Sequence, residues 1–115
     1  MSRPTVLVVE DVPQVRATAV SILKRIGCEV LDAFNGHDAL KILKAHPEVD
    51  VLFADVRMPG MSGPELVEAA RCLRPELRAI LTSGYIGRED APKDVPFVPK
   101  PWRAQDLVRA VEAAC

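Results

Sequence analysis

The chain has 115 residues, of which 49% are hydrophobic and 27% charged, and its formal net charge is −1. This composition indicates one globular domain and excludes an intrinsically disordered chain. The charge offers no basic excess for nucleic-acid binding, and no apolar run approaches the roughly 18 residues of a membrane-spanning helix. Three cysteines without Cys-x-x-Cys spacing favour free thiols in a reducing compartment, so a cytoplasmic protein is expected.

Short apolar runs alternate with amphipathic stretches along the chain. Five runs are predicted to be strands, namely residues 5–10, 29–34, 50–55, 78–83 and 96–99. Helical spacing and capping signals predict helices over about residues 13–26, 36–46, 62–74 and 103–114. Residues 84–96 carry no clear apolar stripe, so any helix between the fourth and fifth strands is predicted to be short.

This alternation predicts right-handed βαβ units and an α/β fold with a five-stranded, doubly wound parallel sheet. At this chain length the flavodoxin-like arrangement is the natural closure of such a sheet, with an abbreviated fourth helix in this chain. Sheets of this type place their functional residues at the carboxyl ends of the central strands. The residues that follow the predicted strands are therefore the candidates for a functional site.

Polar side chains stand at four of these strand ends. Glu10 and Asp11 end the first strand, Asp55 the third, Ser83 the fourth and Lys100 the fifth. Three close carboxylates repel one another, and Mg²⁺ relieves that repulsion through oxygen ligands. An ammonium and a hydroxyl beside them suit a transferring phosphoryl group. Asp55 has the central position and is the candidate nucleophile, which would form an aspartyl phosphate.

Four stretches carry a family resemblance, namely Val6-Leu-Val-Val-Glu-Asp11, Asp55-Val-Arg-Met-Pro-Gly-Met-Ser-Gly63, Leu81-Thr-Ser-Gly84 and Phe97-Val-Pro-Lys-Pro101. With them the chain resembles the receiver domain of bacterial two-component response regulators. The resemblance implies strand order 2-1-3-4-5 and a single receiver domain over residues 1–115 with no output domain. It also implies a phosphoacceptor signalling domain that is not an enzyme, although it assists its own phosphorylation and dephosphorylation.

The resemblance also assigns roles at the site. Asp55 matches the phosphoryl-accepting aspartate, and Lys100 matches the lysine that pairs first with this carboxylate and then with the phosphate. Glu10 and Asp11 match the acidic pair that holds Mg²⁺, Asp11 directly and Glu10 through water. The backbone carbonyl of Arg57 is implied as a further ligand of Mg²⁺, together with Asp55.

Two further matches concern switching. Ser83 matches the hydroxyl that turns toward the phosphoryl group, and Phe97 matches the switch aromatic. The resemblance predicts a cis Lys100–Pro101 bond, a form that proline makes accessible. Trp102 is expected to pack under the last helix.

Arg57 and Tyr85 lie two residues after Asp55 and Ser83, at positions that flank the phosphoryl group in this family. They are candidates for influencing its lifetime, and the alternative is two solvent-facing side chains. The short stretch between Ser83 and Phe97 makes dimerisation through the fourth helix doubtful, so a monomer or weak dimer is expected.

The implied function is Mg²⁺-dependent transfer of a phosphoryl group to Asp55 from a sensor histidine kinase or phosphotransfer protein, which switches a surface for an undefined protein partner. A degenerate receiver that only binds proteins is one alternative, against which the complete residue set argues. A Mg²⁺-dependent aspartyl-phosphate phosphatase is another, but Arg57 stands where its second aspartate is needed. A nucleotide-binding flavodoxin-like protein would need a glycine-rich phosphate loop, which the sequence lacks.

Overall fold

The computed structural model describes residues 3–84 and 94–114. Its five strands form one parallel sheet in the order β2-β1-β3-β4-β5, as expected from the sequence. The elements are, in chain order, β1 (Thr5–Val9), α1 (Pro13–Arg25), β2 (Glu29–Ala33), α2 (Gly36–Ala45), β3 (Val51–Asp55), α3 (Gly63–Leu73), β4 (Arg78–Ser83), β5 (Phe97–Pro99) and α4 (Ala104–Ala114). No helix within the described residues is long and apolar enough to cross a bilayer.

Four of the five strands are one residue shorter than predicted. Glu10, Phe34, Asp50 and Pro96 lie just outside β1, β2, β3 and β5. Glu10 still donates its backbone N–H to the carbonyl of Ala33, at 3.2 Å, so the first strand leaves the sheet gradually. The predicted abbreviated helix between β4 and β5 falls largely on residues 85–93, which lie outside the described residues, as does Tyr85.

The core has two apolar layers, one on each face of the sheet, because successive strand side chains point to opposite faces. On one face, residues such as Leu52 and Leu81 pack against α2 and α3. On the other face, residues such as Phe53 and Ile80 pack against α1 and α4. Every residue of β3 is buried, as expected for a central strand that helices cover on both sides.

Side-chain caps fix where two helices begin. The Asn35 side chain accepts a hydrogen bond from the backbone N–H of Asp38 at the start of α2, at 2.8 Å. Ser62 and Glu65 form the predicted capping box at the start of α3. Caps of this kind contribute about 1 kcal/mol each. Because each helix follows a strand of the parallel sheet, these helix starts lie at the same edge as the carboxyl ends of the strands.

Candidate functional site

Three carboxylates meet at the carboxyl edge of the sheet. Glu10 and Asp11 follow β1, and Asp55 ends the neighbouring β3, where Val9 pairs with Ala54. One carboxylate oxygen from each of the three lies within 4.8 Å of the others. Glu10 is only 2% exposed and Asp55 only 7% exposed. Three acidic groups therefore lie close together at a largely buried position. Their mutual repulsion requires a positive charge nearby.

Lys100, which follows β5, supplies that charge from the other side. Its ammonium donates to Oε2 of Glu10 and to Oδ2 of Asp55, at 2.8 Å each. Its backbone N–H donates to the carbonyl of Ser83 at 3.0 Å, which ties the start of the lysine side chain to the end of β4. The ammonium thus bridges Glu10, which follows β1, and Asp55, which ends β3.

Burial and pairing shift the acid–base behaviour of this cluster. Burial raises the pKa of Glu10 to about 7, helped by the Asp55 carboxylate and opposed by the hydrogen bond from Lys100. Burial alone would lower the pKa of Lys100, but its bonds to Asp55 and Glu10 outweigh burial and raise it. Lys100 is therefore charged at neutral pH, whereas Glu10 changes its charge near neutrality.

Backbone groups orient the two buried carboxylates. The N–H of Arg57 donates to Oδ1 of Asp55 at 3.2 Å, and the N–H of Val12 donates to Oε1 of Glu10 at 3.3 Å. Gly63 begins α3 so close to this segment that a Cβ would lie 2.3 Å from the carbonyl oxygen of Asp55. Only glycine permits this approach, so the start of α3 helps to fix the backbone of Asp55.

Ser83 ends β4, and Phe97 begins the neighbouring strand β5. Ser83 is 1% exposed, and it follows Thr82, the residue that pairs with Asp55 in the sheet. Phe97 pairs with Leu81 and packs, partly buried, on the face that α2 and α3 cover. Ser83 stands two residues after Leu81 and therefore lies on the same face as Phe97.

The Lys100–Pro101 peptide bond is cis, as predicted. Arg57 is an exposed residue, and its backbone N–H donates to Asp55.

Arg16 is a contributor that the sequence analysis missed. One guanidinium nitrogen, Nη1, donates to the backbone carbonyl of Glu10 at 2.9 Å, and Nε donates to Oδ2 of Asp32 at 3.2 Å. The side chain therefore ties the segment after β1 to β2. The only sequence signal was a cation in the first turn of α1, which is too common to single out.

Trp102 packs against the core layer that α1 and α4 cover, which confirms its predicted packing. Its indole N–H also donates to Oγ1 of Thr82 at 2.8 Å. The sequence analysis did not predict this bond, because a threonine beside the candidate Ser83 does not indicate an indole partner.

The donor set suits a hard divalent cation. Glu10, Asp11 and Asp55 offer carboxylate oxygens, which Ca²⁺ and Mg²⁺ prefer to nitrogen or sulfur ligands. Burial disfavours the charged form of Glu10, and a nearby cation would favour that form. The chemistry and spacing of these groups therefore fit a magnesium site.

Comparison with known proteins places this arrangement in a family. Residues 6–112 match the model of the response regulator receiver domain. The sensor kinase CckA of Brucella abortus is 39% identical over 94% of this chain, and the chain spans only 12% of that kinase. The response regulator receiver protein CpdR of the same organism is 31% identical over 93% of this chain and 92% of its own length.

A solved structure is similar over the same extent. The crystal structure of the receiver domain from the hybrid histidine kinase CckA is 35% identical, with a TM-score of 0.82. The match covers 96% of this chain and 97% of that domain. Receiver domains of this kind interact with histidine kinases or phosphotransfer proteins. The chain belongs to the response regulator receiver domain family of two-component signalling.

Proposed function

We propose that Asp55 accepts a phosphoryl group from the phosphohistidine of a sensor kinase or phosphotransfer protein, in a Mg²⁺-dependent reaction. The single observation that carries this proposal is the pair of 2.8 Å bonds from Lys100 to Asp55 and Glu10 within the cluster of three carboxylates. A salt bridge that served only stability would pair one carboxylate with one lysine, whereas this site has three carboxylates. An excess of buried acid beside a single lysine suits a site that receives further cations and a phosphoryl group.

The groups around Asp55 prepare its carboxylate for attack. Arg57 N–H holds Oδ1 and the Lys100 ammonium holds Oδ2, so the carboxylate is oriented before the donor arrives. One oxygen of Asp55 attacks the phosphorus in line while the P–N bond of the phosphohistidine breaks. Lys100 remains beside the new phosphoryl oxygens and offsets their charge.

Glu10, Asp11, Asp55 and the backbone carbonyl of Arg57 are the proposed ligands of Mg²⁺. When bound there, Mg²⁺ supplies positive charge to the phosphoryl oxygens. The Arg16 bond to the carbonyl of Glu10 keeps the two acidic residues after β1 at the edge of the sheet.

Ser83 and Phe97 are the proposed switch residues. Their positions on one face of neighbouring strands support a coupled movement, in which the Ser83 hydroxyl turns toward the phosphoryl group and Phe97 fills the space behind it. Such a change would alter the surface near β5 and α4 for a downstream protein. Arg57 and Tyr85 are proposed to flank the phosphoryl group and to affect its lifetime.

The proposal describes a signalling domain and not an enzyme with a separate substrate. A phosphatase of the aspartyl-phosphate type needs a second acid two residues after the nucleophile, and Arg57 occupies that position. A degenerate receiver would lack part of the acidic cluster or its lysine. The complete cluster therefore favours a phosphoacceptor over both alternatives.

We further propose that residues 1–115 act as one receiver unit without an output domain among them, as a monomer or weak dimer. The match along 92% of CpdR supports the single unit. Among the described residues, Cys72 is an exposed free thiol, which supports the cytoplasm as the location.

Intact-mass spectrometry tests the proposal directly. The protein is incubated with acetyl phosphate, with and without Mg²⁺, beside an Asp55→Asn variant. We expect one added phosphoryl group that requires Mg²⁺ and is absent from the variant. An adduct that survives the substitution would show that Asp55 is the wrong acceptor. Failure of the wild-type protein to form any adduct while it binds Mg²⁺ would favour a degenerate receiver.

A further inference from the structure

We propose that Trp102 is a positioning residue whose indole ring supports the Lys100 ammonium beside Asp55. A hydrogen bond from the indole N–H to Thr82 holds the ring in place. This inference rests on the proposed function of Asp55, and it adds a residue from outside the acidic cluster. Trp102 is the single tryptophan of the chain.

Three contacts fix the indole ring. Its N–H donates to Oγ1 of Thr82 at 2.8 Å, and Thr82 is itself only 2% exposed. The ring of Phe53 lies 5.5 Å away, centroid to centroid, at an interplanar angle of 59°. A tilted aromatic pair and a buried hydrogen bond together define both the position and the rotation of the ring.

The Lys100 ammonium lies over this fixed ring. Its Nζ is 5.7 Å from the ring centroid, within the range of a cation–π interaction, for which tryptophan is the best partner. Two of its three possible hydrogen bonds go to Glu10 and Asp55. The carboxylates therefore hold the ammonium from one side, while the π face of Trp102 lies on another.

The same contacts connect Trp102 to Asp55, the proposed phosphoryl acceptor. Thr82 pairs with Asp55 across β4 and β3, and Phe53 precedes Asp55 by two residues on β3. The ring that supports Lys100 is thus anchored to the two strands that position Asp55. A lysine side chain has four flexible bonds, so a support fixed to the acceptor strands reduces the cost of ordering its ammonium.

Phosphorylation of Asp55 would change what the ammonium binds, because a phosphoryl oxygen replaces a carboxylate oxygen as its partner. The Trp102 ring would then keep Lys100 near the new charge when its bond to Asp55 is exchanged. The inference therefore assigns Trp102 an effect on the rate of phosphorylation and not only on stability.

Two substitutions remove the support in different ways. Trp102→Phe keeps an aromatic ring but removes the indole N–H and weakens the cation–π interaction. Thr82→Val removes the hydroxyl group that accepts the indole hydrogen bond. With acetyl phosphate and saturating Mg²⁺, we expect each to slow phosphorylation of Asp55 about three- to tenfold, the factor equivalent to one hydrogen bond. The double variant should be no slower than Trp102→Phe alone, because both changes remove the same arrangement.

Val111→Ala is the matched control. Val111 lies in α4 and belongs to the same apolar layer, but a valine side chain has no polar or aromatic group that could bind the Lys100 ammonium. The Val111→Ala substitution should lower the free energy of unfolding without slowing the phosphorylation of Asp55. If Val111→Ala slows the reaction as much as Trp102→Phe does, the effect is one of general packing and the inference is wrong. Equal rates for Trp102→Phe, Thr82→Val and wild type would also overturn it.

A second measurement does not depend on phosphorylation. Hydrogen exchange of the Lys100 ammonium is followed by NMR in the metal-free protein, with the signal assigned by its loss in Lys100→Ala. We expect exchange to be roughly threefold or more faster in Trp102→Phe and in Thr82→Val than in wild type. Unchanged exchange rates in both variants would refute the positioning role, whether or not the wild-type protein accepts a phosphoryl group. Failure of the wild-type protein to accept a phosphoryl group would separately refute the proposed function.

Discussion

The two ends of the sheet carry ion pairs of opposite character. At the carboxyl end, Lys100 binds Glu10 and Asp55, and the side chains of these two acids are 3% and 10% exposed. At the amino end, Arg3 binds Glu29, and their side chains are 63% and 56% exposed. Water screens the exposed pair, whereas the buried cluster keeps its charges at close range in a poorly screening environment.

This difference shows why the chemistry lies at one end of the molecule. Parallel strands bring Glu10 and Asp55 together at the edge where Lys100 also lies, and α3 begins in close contact with the backbone of Asp55. The Arg3–Glu29 pair joins two strand starts without any excess charge. We expect substitutions at the carboxyl end to change reactivity strongly and those at the amino end to change very little.

The largest effect is expected from Lys100→Ala. Without the ammonium at Oδ2, the charge of the transferring phosphoryl group loses a close cation, so phosphorylation should slow about 100-fold. The phosphorylation rate is measured by quenching reactions with acetyl phosphate at successive times and determining the intact mass of the protein. Lys44→Ala, at an exposed position near the end of α2, is the control and should react like wild type. A Lys100→Ala rate within twofold of wild type would contradict the assigned role.

A large effect on stability is expected from Gly63→Ala. The added Cβ would lie 2.3 Å from the carbonyl oxygen of Asp55, so α3 must shift away from β3. Urea unfolding should show a loss of about 3 kcal/mol. Gly84→Ala, whose Cβ would meet its nearest neighbour at an ordinary 3.8 Å, should cost far less. Equal losses in the two variants would show that the close approach at Gly63 is unimportant.

A moderate effect is expected from pH. The raised pKa of Glu10, about 7, means that the metal-free site holds a proton there below that pH. A cation must displace this proton, so Mg²⁺ affinity should rise about tenfold between pH 6 and pH 8, by linkage of the two equilibria. Calorimetric titration measures the affinity. Glu10→Gln should bind Mg²⁺ more weakly and with a flatter pH dependence. An unchanged slope in Glu10→Gln would assign the titration to another group.

The smallest effect is expected from Arg3→Ala. The pair with Glu29 is exposed at both partners, so its loss should change the free energy of unfolding by no more than about 0.5 kcal/mol at physiological salt. Denaturant unfolding of this variant beside wild type measures the difference. A loss above about 1 kcal/mol would show that the amino end of the sheet contributes more than its exposure suggests.

Much of this arrangement follows from the sequence, because a parallel sheet aligns the carboxyl ends of its strands. That rule alone brought Glu10, Asp11 and Asp55 to one edge, and the Ser62–Glu65 spacing predicted the start of α3. Local patterns did not define one end of each of four strands, since pairing in the sheet decides where a strand begins and ends.

The contacts that refine the site were not predictable in the same way. The bond from Lys100 to Glu10 joins residues 90 positions apart, and the bond from Trp102 to Thr82 spans 20 positions. Each depends on the register of several strands and on the rotamer of a long side chain. Sequence motifs named the groups that carry charge, but the residues that hold those groups in place required the fold.

The central claim is that Asp55 itself accepts the phosphoryl group. Acyl phosphates react with hydroxylamine to give a stable hydroxamate, so the acceptor can be marked after treatment with acetyl phosphate and Mg²⁺. Peptide mass spectrometry then locates the mark. We expect a hydroxamate at Asp55 that is absent without Mg²⁺ or without the phosphodonor. A hydroxamate at Glu10, Asp11 or any other carboxylate instead of Asp55 would contradict the account.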